Sequence, residues 1–362
     1  MAIEFSISGP KILARTKRRK TPIPLKVVGH MRDKRRIAVD LSKRMEDTVM
    51  AIFPGYLVPP RNREIDGAEE VFLKVSSDVS EDSSLIFERN TLRKLSGLEG
   101  IPKVIGQGKV RVNYWGYDEQ SLKDVFVRRE APFFVMPKIW GENLVDLTLR
   151  RWKERLPERK KVAFLATRVL PALAERLAGL HDKNVVHRDV KPANAIYNGK
   201  EGLLTLLDFG SANWLNAAKA RTDLGTFGYF PPELIVRVPE TEDVRLDVYG
   251  LGVTCFTVLT GEEGIAYDVE NYWQNIRERI HFFGSTRVIE YYYRKLNDLG
   301  SLNSEELIKR SNMPAELKQT ALGKYLQKLF HPNRLKRPYN TWKIAENLRK
   351  LGGQLAEHEI WS

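Results

Sequence analysis

Length, composition and charge limit what this chain can be. Its 362 residues exceed the size of a usual single hydrophobic core, which favours two lobes or two domains. Hydrophobic residues make up 42% and charged residues 29%, as is typical of a soluble globular protein, and the formal net charge is +13.

The sequence predicts neither a membrane span nor a secretory signal. No apolar run approaches the length that crosses a bilayer, and the N-terminus lacks the apolar region of a secretory signal. The single cysteine, Cys255, excludes an internal disulfide. It lies in the apolar run 250–256, which predicts a buried structural thiol and fits a reducing compartment. We therefore expect a cytoplasmic protein.

Most of the positive charge lies near the N-terminus. Residues 1–44 contain 13 Lys or Arg and three acidic residues, which account for +10 of the net charge. The basic cluster at residues 11–20 could bind nucleic acid, an anionic membrane surface or an acidic partner protein. Aromatic residues for base stacking are not interleaved with these charges, which favours a solvated arm. We predict such a basic arm over residues 1–35.

Three strands are predicted next. Residues 36–41 and 48–53 form two of them, on either side of a polar turn. The third, residues 71–75, carries Lys74 within an apolar run, where a lysine needs a counter-charge.

The helix after the third strand supplies that counter-charge. Ser83 or Ser84 can cap its N-terminus. Its apolar stripe consists of Leu85, Leu92 and Leu95. Glu88 falls on the same stripe, and a buried carboxylate is costly unless it is paired. We therefore predict an ion pair between Lys74 and Glu88.

The domain boundaries follow from a change in polarity. Residues 132–136 predict a buried strand, and residues 137–144 become polar, as expected for a hinge between two lobes. We place one domain at residues 36–137, a second at residues 138–351 and a C-terminal tail at residues 352–362.

A long helix with one buried face is predicted over residues 158–180. Pro171 is expected to kink it. His181 and His187 follow this helix, and we interpret both as structural, because no cluster with metal-ligand spacing surrounds them.

The polar segments 187–194 and 208–210 carry the candidate chemistry. Two short apolar runs lie between them, joined by a turn rich in glycine and polar residues, which predicts a hairpin. The hairpin would bring Asp189, Asn194 and Asp208 to one end. These side chains supply hard oxygen ligands for Mg²⁺ and leave one carboxylate to accept a proton from an attacking hydroxyl group. Phosphoryl transfer from a nucleotide needs this combination.

The two segments also match a known pattern. Residues 187–194 read HRDVKPAN and residues 208–210 read DFG, as in the protein-kinase motifs H-R-D-x-x-x-x-N and D-F-G. The chain therefore resembles a protein kinase of the eukaryotic type over about residues 71–350. The resemblance implies an α+β, protein-kinase-like fold, with a small β-rich N-lobe at residues 36–137 and a larger, mainly helical C-lobe at residues 138–351.

The resemblance assigns roles to five residues of the proposed catalytic centre. Asp189 would be the catalytic base, and Asn194 and Asp208 would hold Mg²⁺. Lys191 would steady the transferring phosphate, and its position points to Ser or Thr rather than Tyr as the acceptor. Thr226 resembles the threonine that lines the acceptor site.

The same resemblance implies a site for ATP. Lys74, held by Glu88, would reach the nucleotide phosphates. Met136 would be the gatekeeper residue. The carbonyl of Pro137 and the backbone of Ile139 would meet the adenine edge, and Pro137 can only accept because it has no N–H.

Other matching residues would have structural or regulatory roles. Asp247 would fix the backbone of the catalytic loop, and Arg337 would pair with Glu233. Thr222 is a candidate for regulatory phosphorylation, because Arg188 could pair with a phosphate there. The alternative is an unmodified loop that is ordered by its own packing.

The glycine-rich loop of the family is missing. Gly29, Gly55 and Gly67 do not form G-x-G-x-x-G. We hypothesise that Lys43 and Arg44 partly replace its amides by direct charge contact with the phosphates. The alternative is that both are solvated and that nucleotide binding is weaker.

The sequence thus predicts an ATP- and Mg²⁺-dependent Ser/Thr protein kinase. One alternative is a pseudokinase that serves as a binding scaffold, which the missing glycine-rich loop would favour. Another is a small-molecule phosphotransferase, which shares a similar catalytic loop. The segment 226–233 and Asp247 argue instead for a protein acceptor.

Overall fold

The structure, a computed structural model, divides the chain into two compact units. Unit 1 comprises Met1–Gly97 and Pro102–Ile139, and unit 2 comprises Leu98–Ile101 and Trp140–Ser362. The residues that the structure describes are 6–7, 11–16, 19–31, 34–43, 50–59, 65, 67–76, 78–118, 123–153, 162–215, 226, 229, 231, 243–261, 317, 319–331 and 333–357.

In the described part of unit 1, eight strands form one antiparallel sheet. They are β1 (Ser6–Ile7), β2 (Lys11–Thr16), β3 (Arg19–His30), β4 (Arg36–Val39), β5 (Met50–Val58), β6 (Glu69–Ser76), β7 (Gly106–Asp118) and β8 (Lys123–Pro137). Their order across the sheet is β1-β7-β8-β6-β5-β4-β3-β2. The strand that carries Lys74, β6, therefore has a neighbour on both sides, β5 and β8.

The main apolar core of unit 1 lies on one face of this sheet. Alternate residues of a strand share a face, and Leu73, Val75 and Val135 are fully buried together with their neighbours on adjacent strands. Gly55 lets β4 and β5 approach closely, because a Cβ atom there would lie 2.5 Å from the carbonyl oxygen of Ala38.

Helix α1 (Asp82–Lys94) follows β6 through a 3-10 turn. The three leucines of its predicted apolar stripe are buried, as expected. The predicted cap at Ser83 or Ser84 is wrong, because both serines lie inside the helix. Asp78 caps the preceding 3-10 turn instead and accepts a hydrogen bond of 2.9 Å from the N–H of Ser80. That turn continues into α1, so the helix needs no cap of its own.

The N-terminal segment differs from the predicted arm. Within residues 1–35, β3 pairs with β4 and β2 pairs with β3, so these strands extend the sheet of unit 1. Val27 and Val28 are buried. Although this segment is highly charged, Ile23, Leu25 and Val27 have the two-residue spacing that is typical of a strand.

In the described part of unit 2, five helices surround short strands. The helices are α2 (Leu144–Lys153), α3 (Leu170–His181), α4 (Arg245–Thr260), α5 (Ala321–Leu329) and α6 (Thr341–Glu357). The strands are β9 (Glu142–Asn143), β10 (Val185–Val186), β11 (Ala195–Asn198), β12 (Leu203–Leu206) and β13 (Asn213–Trp214). A β-rich first unit and a mainly helical second unit confirm the predicted α+β class. None of the helices in the described ranges is both long and apolar enough to span a bilayer.

Helix α4 forms the centre of unit 2. All its residues from Leu246 to Leu259 are buried, as expected for a helix that is apolar on every side. It ends at Gly261, whose φ of 76° is the left-handed conformation that favours glycine. Cys255 is fully buried as predicted, and burial raises the pKa of its thiol.

The long helix predicted before the catalytic loop is present from residue 162, and its predicted residues 158–161 lie outside the described part. It contains a π-helical turn, Leu165–Val169, closed by a hydrogen bond from the N–H of Leu170 to the carbonyl of Leu165. Pro171 follows at once and cannot donate a backbone hydrogen bond of its own. The predicted distortion is therefore a widened turn just before the proline.

Helix α6 crosses the predicted boundary between the C-lobe and the C-terminal tail. It runs to Glu357, past the expected end of the C-lobe at residue 351. Gly352 contacts the π-helical turn that precedes α3 so closely that a Cβ atom would lie 2.5 Å from the carbonyl oxygen of Ala166. Leu355, one turn later, is buried. The first residues of the predicted tail therefore belong to the core of unit 2.

Two helical glycines give a matched test of packing in unit 2. We expect Gly252→Ala to destabilise the protein by about 1–3 kcal/mol, because its Cβ would lie 2.7 Å from the Cβ of Leu329 in α5. Gly179→Ala meets no atom within 4 Å, and we expect it to stabilise the protein by about 0.4–1 kcal/mol. Urea unfolding of both variants checks the opposite signs, and destabilisation of similar size in both would contradict the packing argument.

Candidate active site

The predicted hairpin is confirmed, and it places two candidate metal ligands at its open end. Strands β11 and β12 pair antiparallel, and Ala195 lies opposite Leu206 in the last pair. The N–H of Leu207 then donates a hydrogen bond of 2.8 Å to the carbonyl of Asn194. Asp208 is the next residue along the chain. The hairpin therefore brings Asn194 and Asp208 to the same end, as the sequence predicted.

The carboxylate of Asp189 is surrounded by donors from three residues. Its Oδ1 atom accepts a hydrogen bond of 2.9 Å from the backbone N–H of Thr226. Its Oδ2 atom accepts one of 2.7 Å from the side chain of Asn194 and pairs with the Lys191 ammonium at 2.9 Å. The same ammonium donates a short hydrogen bond to the hydroxyl of Thr226. Four of the predicted site residues therefore form one contiguous group in unit 2.

The amide of Asn194 is oriented by this group. Its nitrogen donates to the carboxylate of Asp189 and, at 2.9 Å, to the carbonyl of the same residue. This orientation leaves the amide oxygen of Asn194 as a ligand for another group. Together with the half-buried carboxylate of Asp208, it provides the hard oxygen atoms that Mg²⁺ prefers. The donor set at the end of the hairpin thus fits a magnesium ion.

The turn at Asp208 is held by the buried ring that follows. Phe209 is fully buried and its ring meets the His187 ring edge to face, with centroids 4.9 Å apart. The Nε2 atom of His187 lies 2.8 Å from the carbonyl oxygen of Leu207. Asp208 itself has a φ of 57°, and Arg188 has one of 67°. Positive φ is uncommon for residues other than glycine and is concentrated at functional sites.

Asp247 fixes the backbone of the catalytic loop, as predicted. Its carboxylate lies on α4 and accepts hydrogen bonds of 2.7 Å from the backbone N–H groups of His187 and Arg188. His181 makes a third contact, with its Nε2 atom 2.9 Å from the same carboxylate, while its Nδ1 atom lies 2.7 Å from the hydroxyl of Thr341. Both histidines therefore have the structural role that the sequence predicted.

The environment of Asp247 lowers its pKa. Burial by itself would raise that pKa, but the hydrogen bond from His181, the charges of His181 and His187 and the backbone N–H of His187 outweigh it. The folded chain therefore binds fewer protons at this carboxylate than the unfolded chain does. The resulting stabilisation is complete above the ordinary aspartate pKa of about 4 and is lost as the pH falls through the lower value of the folded state.

This linkage predicts a pH-dependent effect of Asp247→Asn. We expect the difference in urea midpoint between wild type and this variant to be largest near neutral pH and to shrink below about pH 4. Unfolding curves at pH 7, 5, 4 and 3 measure it. Asp182→Asn, which changes an exposed carboxylate of unit 2, is the control. A difference for Asp247→Asn that does not vary with pH would contradict the argument.

Unit 1 contains the predicted ion pair between Lys74 and Glu88. The Nζ atom lies 2.9 Å from Oε2 and 3.1 Å from Oε1, and the side chains are only 4% and 3% exposed. Lys74 is on β6 and Glu88 is on the buried stripe of α1. The pairing prediction is confirmed, and β6 and α1 shield the ammonium from solvent.

The predicted hinge residues lie at the end of β8. Met136 pairs with Phe72, and Pro137 pairs with Val71, which is the last pair of that ladder. Both are half-buried, as is Ile139, two residues beyond the strand. Their roles toward a nucleotide stay predictions.

The turn predicted to replace the glycine-rich loop is described only in part. Lys43 ends a 3-10 turn that follows β4 and is exposed. Its ammonium lies 3.6 Å from a carboxylate oxygen of the buried Asp40, which also accepts from the hydroxyl of Ser42 at 2.6 Å. Arg44 lies outside the described residues, as do Thr222 and Glu233.

Two contacts were missed by sequence reasoning. The side chain of Asn143 donates a hydrogen bond of 2.7 Å to the carbonyl of Ala193 in the catalytic loop. The hydroxyl of Thr254 on α4 donates one of 3.2 Å to the carbonyl of Val190. Neither residue belongs to a motif, so the sequence carried no local signal for these supports. Arg337, for its part, donates to the carbonyls of His331 and Arg245.

The chain is similar in sequence to several known kinases. The chain is 36% identical over 107 residues to Aurora kinase B of Xenopus tropicalis, which covers 30% of this chain and 28% of that protein. It is 32% identical over 165 residues to ribosomal protein S6 kinase alpha-2 of Mus musculus, with coverage of 44% and 21%. It is 37% identical over 122 residues to serine/threonine-protein kinase Aurora-1 of Arabidopsis thaliana, with coverage of 33% and 37%.

The chain thus spans between about a fifth and two fifths of the length of these relatives. The family model described as protein kinase domain matches residues 120–344. This range contains Asp189, Asn194, Asp208 and Asp247, whereas Lys74 and Glu88 precede it. Because the match covers more than half of the 362 residues, the chain belongs to the protein kinase domain family.

Proposed function

We propose that this chain is a Ser/Thr protein kinase that transfers the γ-phosphoryl group of ATP to hydroxyl groups of proteins. The observation that carries the proposal is the environment of Asp189. Its carboxylate is buried, hydrogen-bonded to Thr226 and Asn194 and paired with Lys191. A carboxylate held in this way is oriented to accept a proton from a substrate hydroxyl group.

The neighbours of Asp189 support a Ser or Thr acceptor. Lys191 contacts both the proposed base and the Thr226 hydroxyl, so its ammonium lies where it can neutralise charge on a transferring phosphoryl group. Thr226 binds the base through its backbone N–H and so lines the proposed acceptor site. One of the similar proteins carries serine/threonine-protein kinase in its name, which fits the same acceptor class.

The nucleotide and its metal ion are assigned to the remaining predicted residues. Mg²⁺ bound with ATP neutralises phosphate charge and orients the γ-phosphoryl group. The oxygens of Asn194 and Asp208 would hold it. Lys74, oriented by Glu88, would bind nucleotide phosphates.

The adenine contacts belong to the residues after β8. The carbonyl of Pro137 would accept a hydrogen bond from the base, and the backbone of Ile139 would supply the second contact. Met136 would limit the depth of the adenine site. Nucleotide affinity that is unchanged by Met136→Trp would count against this assignment.

Labelled ATP tests the function directly. We expect the full chain to transfer label from [γ-³²P]ATP with Mg²⁺ to itself or to casein, with label on Ser or Thr in acid hydrolysates. Asp208→Ala should abolish transfer, and Asp182→Asn should leave it unchanged because that carboxylate is exposed. Label on Tyr, or equal transfer by Asp208→Ala, would contradict the proposal.

We also propose that Lys43 and Arg44 contact the nucleotide phosphates in place of a glycine-rich loop. The support is the exposed position of Lys43 and the lack of any G-x-G-x-x-G before β6 in the sequence. A Lys43→Ala, Arg44→Ala double variant should bind ATP more weakly. Unchanged ATP affinity would remove this hypothesis.

The missing glycine motif favours one second candidate, a kinase-shaped binding scaffold. A scaffold would bind nucleotide weakly or not at all and would transfer no label under any metal condition. Catalysis is supported instead by the residues at the functional positions of the family, which are Lys74, Glu88, Asp189, Asn194 and Asp208. ATP binding without measurable turnover would favour the scaffold.

The basic cluster at residues 11–20 is proposed to contact an acidic protein, nucleic acid or an anionic membrane surface. Replacing Arg15, Lys17, Arg18, Arg19 and Lys20 by Gln tests it without deleting strands of the sheet. Binding to anionic vesicles, to an acidic peptide or to nucleic acid that falls in this variant would support the proposal.

A further inference from the structure

The ribbon formed by β7 and β8 carries a basic and aromatic face outside the proposed catalytic centre. The ladder pairs Arg111 with Glu130 and Asn113 with Arg128, so these four residues share one face of the sheet. Phe126 lies two residues before Arg128 and therefore on the same face. Together with Arg129, these residues line a groove of about 530 Å³. The groove lies entirely within unit 1.

The charge of this groove is available to a ligand. Arg129 is committed elsewhere, since its guanidinium donates to Asp82 at 2.9 Å and to the hydroxyl of Ser76 at 2.7 Å. Arg111 and Arg128 are exposed, and within the described ranges neither forms an ion pair. Both guanidinium groups are therefore accessible to solvent, and the carboxylate that lines the groove with the three arginines is Glu130, opposite Arg111. This favours a polyanionic ligand.

The aromatic ring narrows the class of polyanion. Phe126 is 46% exposed, which is unusual for a large apolar residue. The guanidinium of Arg128 lies 5.3 Å from the centroid of its ring. Rings and guanidinium planes of this kind are the platforms on which unpaired bases stack. A chain of acidic residues alone has no apolar face to pack on a phenyl ring, whereas every unpaired base has one.

The strand geometry adds a regular spacing to these contacts. Successive residues on one face of a strand are about 6.8 Å apart, and exposed Lys109 continues the basic row of Arg111 toward the start of β7. Asn113 lies two residues after Arg111 on the same face and opposite Arg128. This face thus carries basic groups and an exposed aromatic ring close together, a combination that the basic cluster at residues 11–20 lacks.

We propose that this face of the β7–β8 ribbon binds single-stranded nucleic acid. Arg111, Arg128 and Lys109 contact phosphates, and Phe126 stacks on a base. The binding does not depend on sequence, because stacking and phosphate contacts are possible with every nucleotide. Single-stranded RNA and single-stranded DNA share this chemistry, and the two are separate arms of the test.

Fluorescence anisotropy with labelled 20-nucleotide oligo(U) and oligo(dT) tests the proposal on the full chain. We expect Phe126→Leu, which keeps an apolar side chain but removes the ring, to weaken binding by about 5- to 150-fold. An Arg111→Gln, Arg128→Gln variant should lower the slope of log K against log salt by about 1.4, because two phosphate contacts are lost. Lys324→Gln, Lys328→Gln removes two exposed charges from α5 and is the matched control, with little expected effect.

Several outcomes would overturn the proposal. They are no binding of either strand by wild type at 50 mM salt, equal loss in the α5 control, or equal affinity for duplex DNA or polyglutamate. Binding that survives Arg111→Gln, Arg128→Gln and is lost on neutralising the basic cluster at residues 11–20 would place the site there instead. Kinase activity should be the same in the ribbon variants and in wild type, which also shows that they are folded.

Discussion

Replacing Asp189 by Asn is expected to reduce kcat by about 10²- to 10⁴-fold, because a positioned general base contributes about that factor. The amide cannot accept the proton of an attacking hydroxyl group. The NH₂ group of the amide would also face another donor. That donor is the Thr226 N–H if the NH₂ group replaces Oδ1, or Asn194 and Lys191 if it replaces Oδ2. Initial rates with saturating ATP and a protein substrate measure the loss.

Nucleotide affinity separates this effect from a general loss of structure. We expect Asp189→Asn to bind a fluorescent ATP analogue with nearly unchanged affinity, because Asp189 is not among the residues assigned to the nucleotide. Asp182→Asn is the matched control, since it makes the same chemical change at an exposed residue shortly before the loop. A kcat for Asp189→Asn within a few-fold of wild type would rule out the proposed base.

The parts of the site that sequence predicted are those in which local chemistry dictates the partner. A lysine in a buried strand needs a carboxylate, and Glu88 was the one acid on the apolar stripe of the next helix. The turn between β11 and β12 fixes the hairpin register, and so brings Asn194 and Asp208 together. The resemblance implied that Asp247 fixes the backbone of the catalytic loop. The two hydrogen bonds that it accepts from backbone N–H groups confirm that role.

The parts that sequence did not predict depend on partners far along the chain. Strand β3 extends the sheet because it pairs with β4, and a high local charge says nothing about such pairing. The support from Asn143 to Ala193 spans 50 residues without a motif. The extension of α6 depends on the close packing of Gly352 against the π-helical turn that precedes α3. Tertiary contacts decide each of these features, and one sequence does not reveal them.

The second large effect is expected at the buried ion pair of unit 1. We expect Lys74→Met to destabilise the protein by about 3–5 kcal/mol, because the buried carboxylate of Glu88 would lose the ammonium that pairs with it. Arg35→Met is the matched control: Arg35 and Glu69 are also 2.9 Å apart and also in unit 1, but their side chains are 35% and 43% exposed. Loss of such an exposed pair costs about 0–1 kcal/mol. Urea unfolding at pH 7 measures both.

A double variant separates the contribution of the Lys74–Glu88 pair to stability from its role in phosphate binding. Lys74→Met with Glu88→Leu fills the same space with apolar groups, and replacements of this kind are neutral or stabilising in many proteins. We therefore expect the double variant to regain most of the stability that Lys74→Met loses, while phosphoryl transfer stays abolished. Stability restored without activity would mean that the charges are retained to bind phosphate and not to hold β6 against α1. If the double variant were as unstable as Lys74→Met, the pair would instead be a structural requirement of unit 1, and the assignment of Lys74 to the nucleotide would lose its main physical support.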